Sequence, residues 1–146
     1  MSDQAKPYIA VATFCEKALE EKDGVYTLVR IIDSVTVRVD PALARQGKPA
    51  IQVTLFVIFR AGDAHGKYTV AFVLREPNAA PKKFAETSVI FTGEERGVTL
   101  RTDLVLGVEE YGLYWVDVLV NGEKATSVPL RLQRAEEGTQ SSQTKT

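Results

Sequence analysis

The chain has 146 residues, 45% of them hydrophobic, with 18 basic against 19 acidic side chains. That length can bury one sizeable core and is too short to divide comfortably into two. The formal charge of -1 supplies no general drive toward phosphate backbones or anionic membrane, so nucleic acid is not an expected partner.

The first apolar run, Tyr8 to Cys15, is too short for a spanning helix, so no membrane insertion is expected. It also lacks the basic flank and small-residue cleavage pattern of a secretory signal. The single cysteine, Cys15, cannot form an intramolecular disulfide, and the expected compartment is cytoplasmic.

Alternation with period two recurs along most of the chain and predicts strands with one face on a core. The expected strands begin with Tyr8–Phe14, Val25–Asp33, Val35–Val39 and Ile51–Arg60. Between the first two, Glu16–Lys22 is rich in helix formers and predicts a short helical turn, closed by Asp23-Gly24. In the strand from Ile51, Phe56 and Ile58 oppose Val53, Leu55, Val57 and Phe59. Either this strand is covered on both sides or it carries an exposed apolar patch.

After a loop from Gly62 to Gly66 comes Lys67–Arg75, with Tyr68, Val70, Phe72 and Leu74 on one side. Thr87–Thr92, Val98–Leu106, Leu113–Val120 and Thr126–Leu132 follow. Asn121-Gly122 tolerates positive φ at both residues and predicts a type I′ hairpin. Pro129 places the last strand at an edge or at a break. The fold class is therefore all-β, an antiparallel two-sheet sandwich of about eight or nine strands, immunoglobulin-like or a related Greek key. It occupies residues 1–133, and the polar stretch 134–146 is expected to be a disordered tail.

The run Glu110-Tyr111-Gly112-Leu113-Tyr114-Trp115-Val116 resembles the corner that opens the penultimate strand of immunoglobulin-like sandwiches, with Val116 at the usual cysteine position. That resemblance implies that the Tyr114 hydroxyl bonds back to backbone at the corner, with Glu110 and Gly112 as its other members. A wider set of segments is similar to an uncharacterised bacterial family of small predicted β-sandwich proteins. These are Phe14-Cys15-Glu16, Asp23-Gly24, Leu28-Val29-Arg30-Ile31-Ile32-Asp33, Gly112 to Glu123, and Val128-Pro129-Leu130. This second resemblance implies a fold and a bacterial or phage origin, and no catalytic residue.

No motif assigns chemistry. His65, the only histidine, falls in a loop and reads as a solvated turn residue, with no nucleophile-elbow pattern beside it. Cys15 and His65 are single and far apart, so no zinc site is expected. Asp23, Asp33, Asp40, Asp63, Glu94, Glu95, Glu109 and Glu110 lie in or near loops that could gather around calcium, but such residues are ordinarily solvated. No catalytic residue, metal or cofactor is expected. If Tyr114 faces the core, Trp115 shares the other face with Leu113, Asp117 and Leu119. Leu113, Trp115 and Leu119 are then a candidate interaction surface, unless the faces are reversed or a loop covers them. The expected function is a non-enzymatic module that binds a protein partner or forms a homo-oligomer. The alternative is a ligand module taking calcium, lipid headgroup or carbohydrate with loops at one end.

Overall fold

The computed structural model describes residues 6–38 and 49–135. Val39, Asp40 and the tail from 136 onward lie outside them, so the expectations made for those residues do too. Among the described residues nine strands are formed: β1 (Tyr8–Glu20), β2 (Tyr26–Ile32), β3 (Ser34–Val37), β4 (Ala50–Arg60), β5 (His65–Arg75), β6 (Lys82–Thr92), β7 (Gly97–Gly107), β8 (Gly112–Val120) and β9 (Glu123–Arg134). They make a four-stranded sheet in the order β2-β1-β4-β7 and a five-stranded sheet in the order β3-β9-β8-β5-β6. Among the described residues there is no helix.

The inward faces follow from the alternation of each strand. Leu55, Val57 and Phe59 of β4 meet Val70 and Phe72 of β5, Tyr114, Val116 and Val118 of β8, and Leu130 and Leu132 of β9 in one buried cluster. Each of these side chains is almost fully withdrawn from water. Burying an aliphatic side chain of this size stabilises the fold by about 1.5–3 kcal/mol, so the cluster supplies the main drive to bring the sheets together. Edge-to-face contacts of Phe91 with Phe59 and Tyr68, at centroid distances of 6.0 and 5.2 Å, close it toward the edge strand β6.

The type I′ turn forms at Asn121 and Gly122, whose φ values are 50° and 85°. Asn121 also ties the turn to β5: its backbone N–H donates to the Thr69 carbonyl, and its Oδ1 accepts from the Thr69 N–H, both at 2.8 Å. One strand pair departs from the antiparallel expectation, since β3 runs parallel to β9 from Ser34↔Arg131 to Val37↔Arg134. The chain leaves one sheet at Ile32 and enters the other at Ser34, and that crossover is what lets neighbouring strands share a direction. Pro129 lies in β9 just before the stretch that β3 covers, opposite Trp115 on the β8 side. Its missing N–H therefore costs no ladder bond toward β3.

The helical turn expected over Glu16–Lys22 does not form. β1 continues as strand to Glu20 and pairs with β2 through Lys17↔Val29, Ala18↔Leu28 and Glu20↔Tyr26. Helix propensity over so few residues is too weak to compete with that ladder. β6 likewise begins at Lys82, well before the expected start at Thr87. A bulge between Phe72 and Val73 shifts the β5–β6 register there and breaks the pattern that would have revealed it.

Phe56 resolves the two alternatives for the strand from Ile51. It is 3% exposed, on the opposite face of β4 from the main core, in a separate cluster with Cys15 and Ala18. Tyr26 stands edge-on to it at 5.2 Å, with Leu28 and Ile58 packed alongside. β4 is thus covered on both sides, the outer cover being the β1–β2 hairpin. Phe56→Ala is expected to cost about 3–5 kcal/mol, as for a core phenylalanine. A urea midpoint close to that of the unmodified protein would show that this side chain is not buried as described.

Candidate functional site

β8 is the middle strand of the five-stranded sheet, and both of its ends are anchored. At its start Tyr114, 2% exposed, donates its hydroxyl to the Glu110 carbonyl at 2.7 Å. Burial pushes the Tyr114 phenol above its ordinary pKa, so the hydroxyl stays a donor. The Glu110 carboxylate accepts from Asn78 Nδ2 at 2.8 Å, joining this corner to the loop after β5. Gly112 opens the strand. At the far end the Asn121 turn holds β8 against β5.

Anchoring at both ends fixes which β8 side chains face outward. Trp115 sits between Arg75 of β5 and Pro129 of β9 in the strand register. The Arg75 guanidinium lies 5.4 Å from the centroid of the Trp115 ring, a cation–π contact. The same guanidinium donates from Nε and Nη2 to the two carboxylate oxygens of Asp117, both at 2.9 Å. Ser127 adds a third donor to Asp117 at 2.6 Å.

Asp117 is 9% exposed in the middle of an apolar strand. Burial alone would raise its pKa. The hydrogen bonds from Arg75 and Ser127, with the Arg75 charge, outweigh that and hold it below the ordinary carboxylate value. Leu113, Trp115 and Leu119 are each half-buried on this strand rather than fully exposed. The outer face is therefore an aromatic and aliphatic surface with a fixed ionic pair set into it.

The other candidates are dispersed. His65 is the first residue of β5, paired with Thr92, rather than a loop residue. Its ring lies so close to Gly93 that a Cβ there would collide with the imidazole, which accounts for a glycine at that position. Cys15 is fully buried, and burial first, then the nearby Asp103 charge, pushes its thiol pKa up. That is the reverse of an activated nucleophile. Among the loop carboxylates, Glu95 accepts from the Tyr8 hydroxyl at 2.7 Å, and Asp23 accepts from the Val25 N–H at 3.3 Å. Among the described residues no three His, Cys, Asp or Glu side chains are grouped to hold a metal ion.

A cleft of about 420 Å³ lies near the Asn121 turn, lined by Tyr8, Ile9, Tyr68, Val120, Asn121 and Lys124 among others. Sequence reasoning did not find it. Its walls come from the start of β1, from β5 and from the β8–β9 turn, which no local pattern connects. The Arg75–Asp117–Ser127 network was missed for the same reason, although the charged Asp117 between Val116 and Val118 was a visible signal.

No family model and no curated protein matches the chain. Among solved structures, the alkylpurine DNA glycosylase AlkC of Pseudomonas fluorescens, bound to DNA containing an abasic site analog, is similar at a TM-score of 0.55. It has 14% identity over 88% of this chain and 31% of that one. A β-glucosidase of Listeria innocua gives a TM-score of 0.46 at 17% identity, over 56% of this chain and 14% of that one. This chain thus spans a minor part of both, and likeness at such identity concerns the fold alone.

The depressed pKa of Asp117 makes stability depend on pH in a definite sense. Its unfolded pKa is about 3.9, and the folded value lies lower, so its contribution is complete well above that pH. It is lost as the pH falls through the folded value, because the unfolded chain takes up the proton first. Urea midpoints measured from pH 6 downward should fall more steeply for the unmodified protein than for Asp117→Asn, and the two curves should converge in acid. Parallel curves would contradict the assignment.

Proposed function

We propose that this chain is a non-enzymatic, immunoglobulin-like sandwich that binds another protein, in the first instance a second copy of itself, through the outer face of the five-stranded sheet. The observation that carries this is Trp115, half-buried beneath Arg75 and flanked by Leu113 and Leu119. Tryptophan and arginine are the side chains that most often dominate protein–protein binding energy. Here both are immobilised before any partner arrives, since Arg75 is fastened to Asp117 by two hydrogen bonds. Pre-ordering of this kind removes part of the entropic cost of association.

The immunoglobulin-like assignment is supported by the order β3-β9-β8-β5-β6, with β3 parallel to β9, and by the Tyr114 hydroxyl bond to Glu110. The DNA in the AlkC structure belongs to that protein. This chain's net charge of -1 gives no comparable reason to bind a phosphate backbone.

A second reading, a ligand module using one end of the sandwich, is favoured by the cleft beside Asn121. Its volume of about 420 Å³ is that of a small-molecule site, and Tyr8, 50% exposed, offers an aromatic face to a sugar ring. Under that reading, titration with monosaccharides shifts the Tyr8 and Tyr68 resonances and leaves that of the Trp115 indole unmoved.

Light scattering on the purified chain and on Trp115→Ser separates these possibilities. The expected result is a dimer whose population rises with concentration, and a monomer for the variant with its unfolding midpoint changed little. Monomers in both cases would remove the self-association reading.

A further inference from the structure

We propose that the distal half of the β1–β2 hairpin is a flap that opens as a unit about a kink at Glu16 and Arg30, uncovering the outer face of β4. Up to Cys15, β1 is bonded into the sheet, its ladder with β4 running from Tyr8↔Arg60 to Cys15↔Thr54. Beyond that pair it leaves β4, and Lys17–Glu20 is laddered to β2 alone. Arg30 marks the departure. It is a non-glycine residue at φ 55° within β2, opposite Glu16, and the regular pairing passes from Cys15↔Ile31 to Lys17↔Val29 around it.

That backbone conformation is unfavourable in a residue with a side chain. Little nearby offsets it. The Glu16–Arg30 ion pair at 3.2 Å has side chains 47% and 71% exposed, and such pairs contribute little in water.

Past the kink, what holds the hairpin down is limited. Ala18, Tyr26 and Leu28 pack on Phe56, in a cluster distinct from the main core. Among the described residues one side-chain hydrogen bond reinforces them, from Arg101 Nη1 of β7 to the Ala18 carbonyl at 2.9 Å. Elsewhere the distal hairpin is open to water, with Leu19 and Val25 44% and 57% exposed. Segments secured by few buried contacts open at a fraction of the free energy of global unfolding. Because the flap shares no side chain with the main core, it can lift while the two sheets stay packed. Opening exposes Phe56 and the Cys15 thiol, both inaccessible when it is closed.

Cys15 is the only cysteine in the chain, so its reaction with excess Ellman's reagent under native conditions reads the opening directly. The expected labelling rate exceeds the rate set by global unfolding tenfold or more, with a weaker urea dependence. Arg101→Ala should raise it about tenfold, through loss of a charged hydrogen bond. Val116→Ala, altered in the main core, should lower the global midpoint and leave the labelling rate unchanged; Val128→Ala serves equally if that variant folds poorly. Labelling that accelerates in step with the loss of global stability in the core variants would overturn the proposal. So would a urea slope equal to that of global unfolding.

Discussion

Strand β4 is apolar on both faces, and much of the rest of the molecule answers that constraint. Its inward residues, Val53, Leu55, Val57 and Phe59, are covered by the opposing sheet and form the main core. Its outward residues Phe56 and Ile58 would lie open to water in a bare two-layer arrangement. Leaving a phenylalanine ring hydrated forgoes about 1.5–3 kcal/mol of burial, and the chain avoids this by bending the β1–β2 hairpin over it. The bend in turn requires β1 to abandon β4 after Cys15 and Arg30 to adopt a left-handed backbone. A local cost at Arg30 is thus tied to an apolar surface on another strand.

The outer face of the other sheet is handled differently. The centre of β8 holds a carboxylate, Asp117, instead of a phenylalanine. Desolvating Asp117 is unfavourable by itself, and the fork of Arg75 with the Ser127 hydroxyl offsets that. A consequence is that Arg75 cannot swing freely, so the Trp115 ring beneath it has a fixed roof. One outer face is sealed by the chain's own hairpin, and the other is left half-covered with its polar groups already satisfied. This asymmetry is why the five-stranded sheet is the better surface for a partner.

Both outer faces depend on β8 and β4 holding their register, since a slip of one residue turns every side chain to the wrong side. For β8 the register is set at its ends. Tyr114 bonds to Glu110 where the chain enters the strand, and Asn121 clamps Thr69 where it leaves. Between those points Val116 and Val118 are committed to the core, and Trp115 and Asp117 to the outer face.

The amino-acid sequence by itself determined the features that depend on near neighbours. Alternation marked the strands because facing direction repeats every second residue. Asn121-Gly122 marked a turn because only such residues take positive φ cheaply. The Tyr114–Glu110 bond spans four residues and follows from the local entry into the strand. Tertiary structure decided whatever rests on partners distant in the chain. Glu16–Lys22 reads as helical by propensity, and Lys17–Glu20 within it is strand because β2 pairs with it. Phe56 had two possible fates until Tyr26 was placed against it. Arg75 and Asp117, 42 positions apart, meet only because β5 and β8 are neighbours in one particular register. Local preferences reside in each residue's own backbone and side chain, whereas register between strands is fixed by the packing of the whole core.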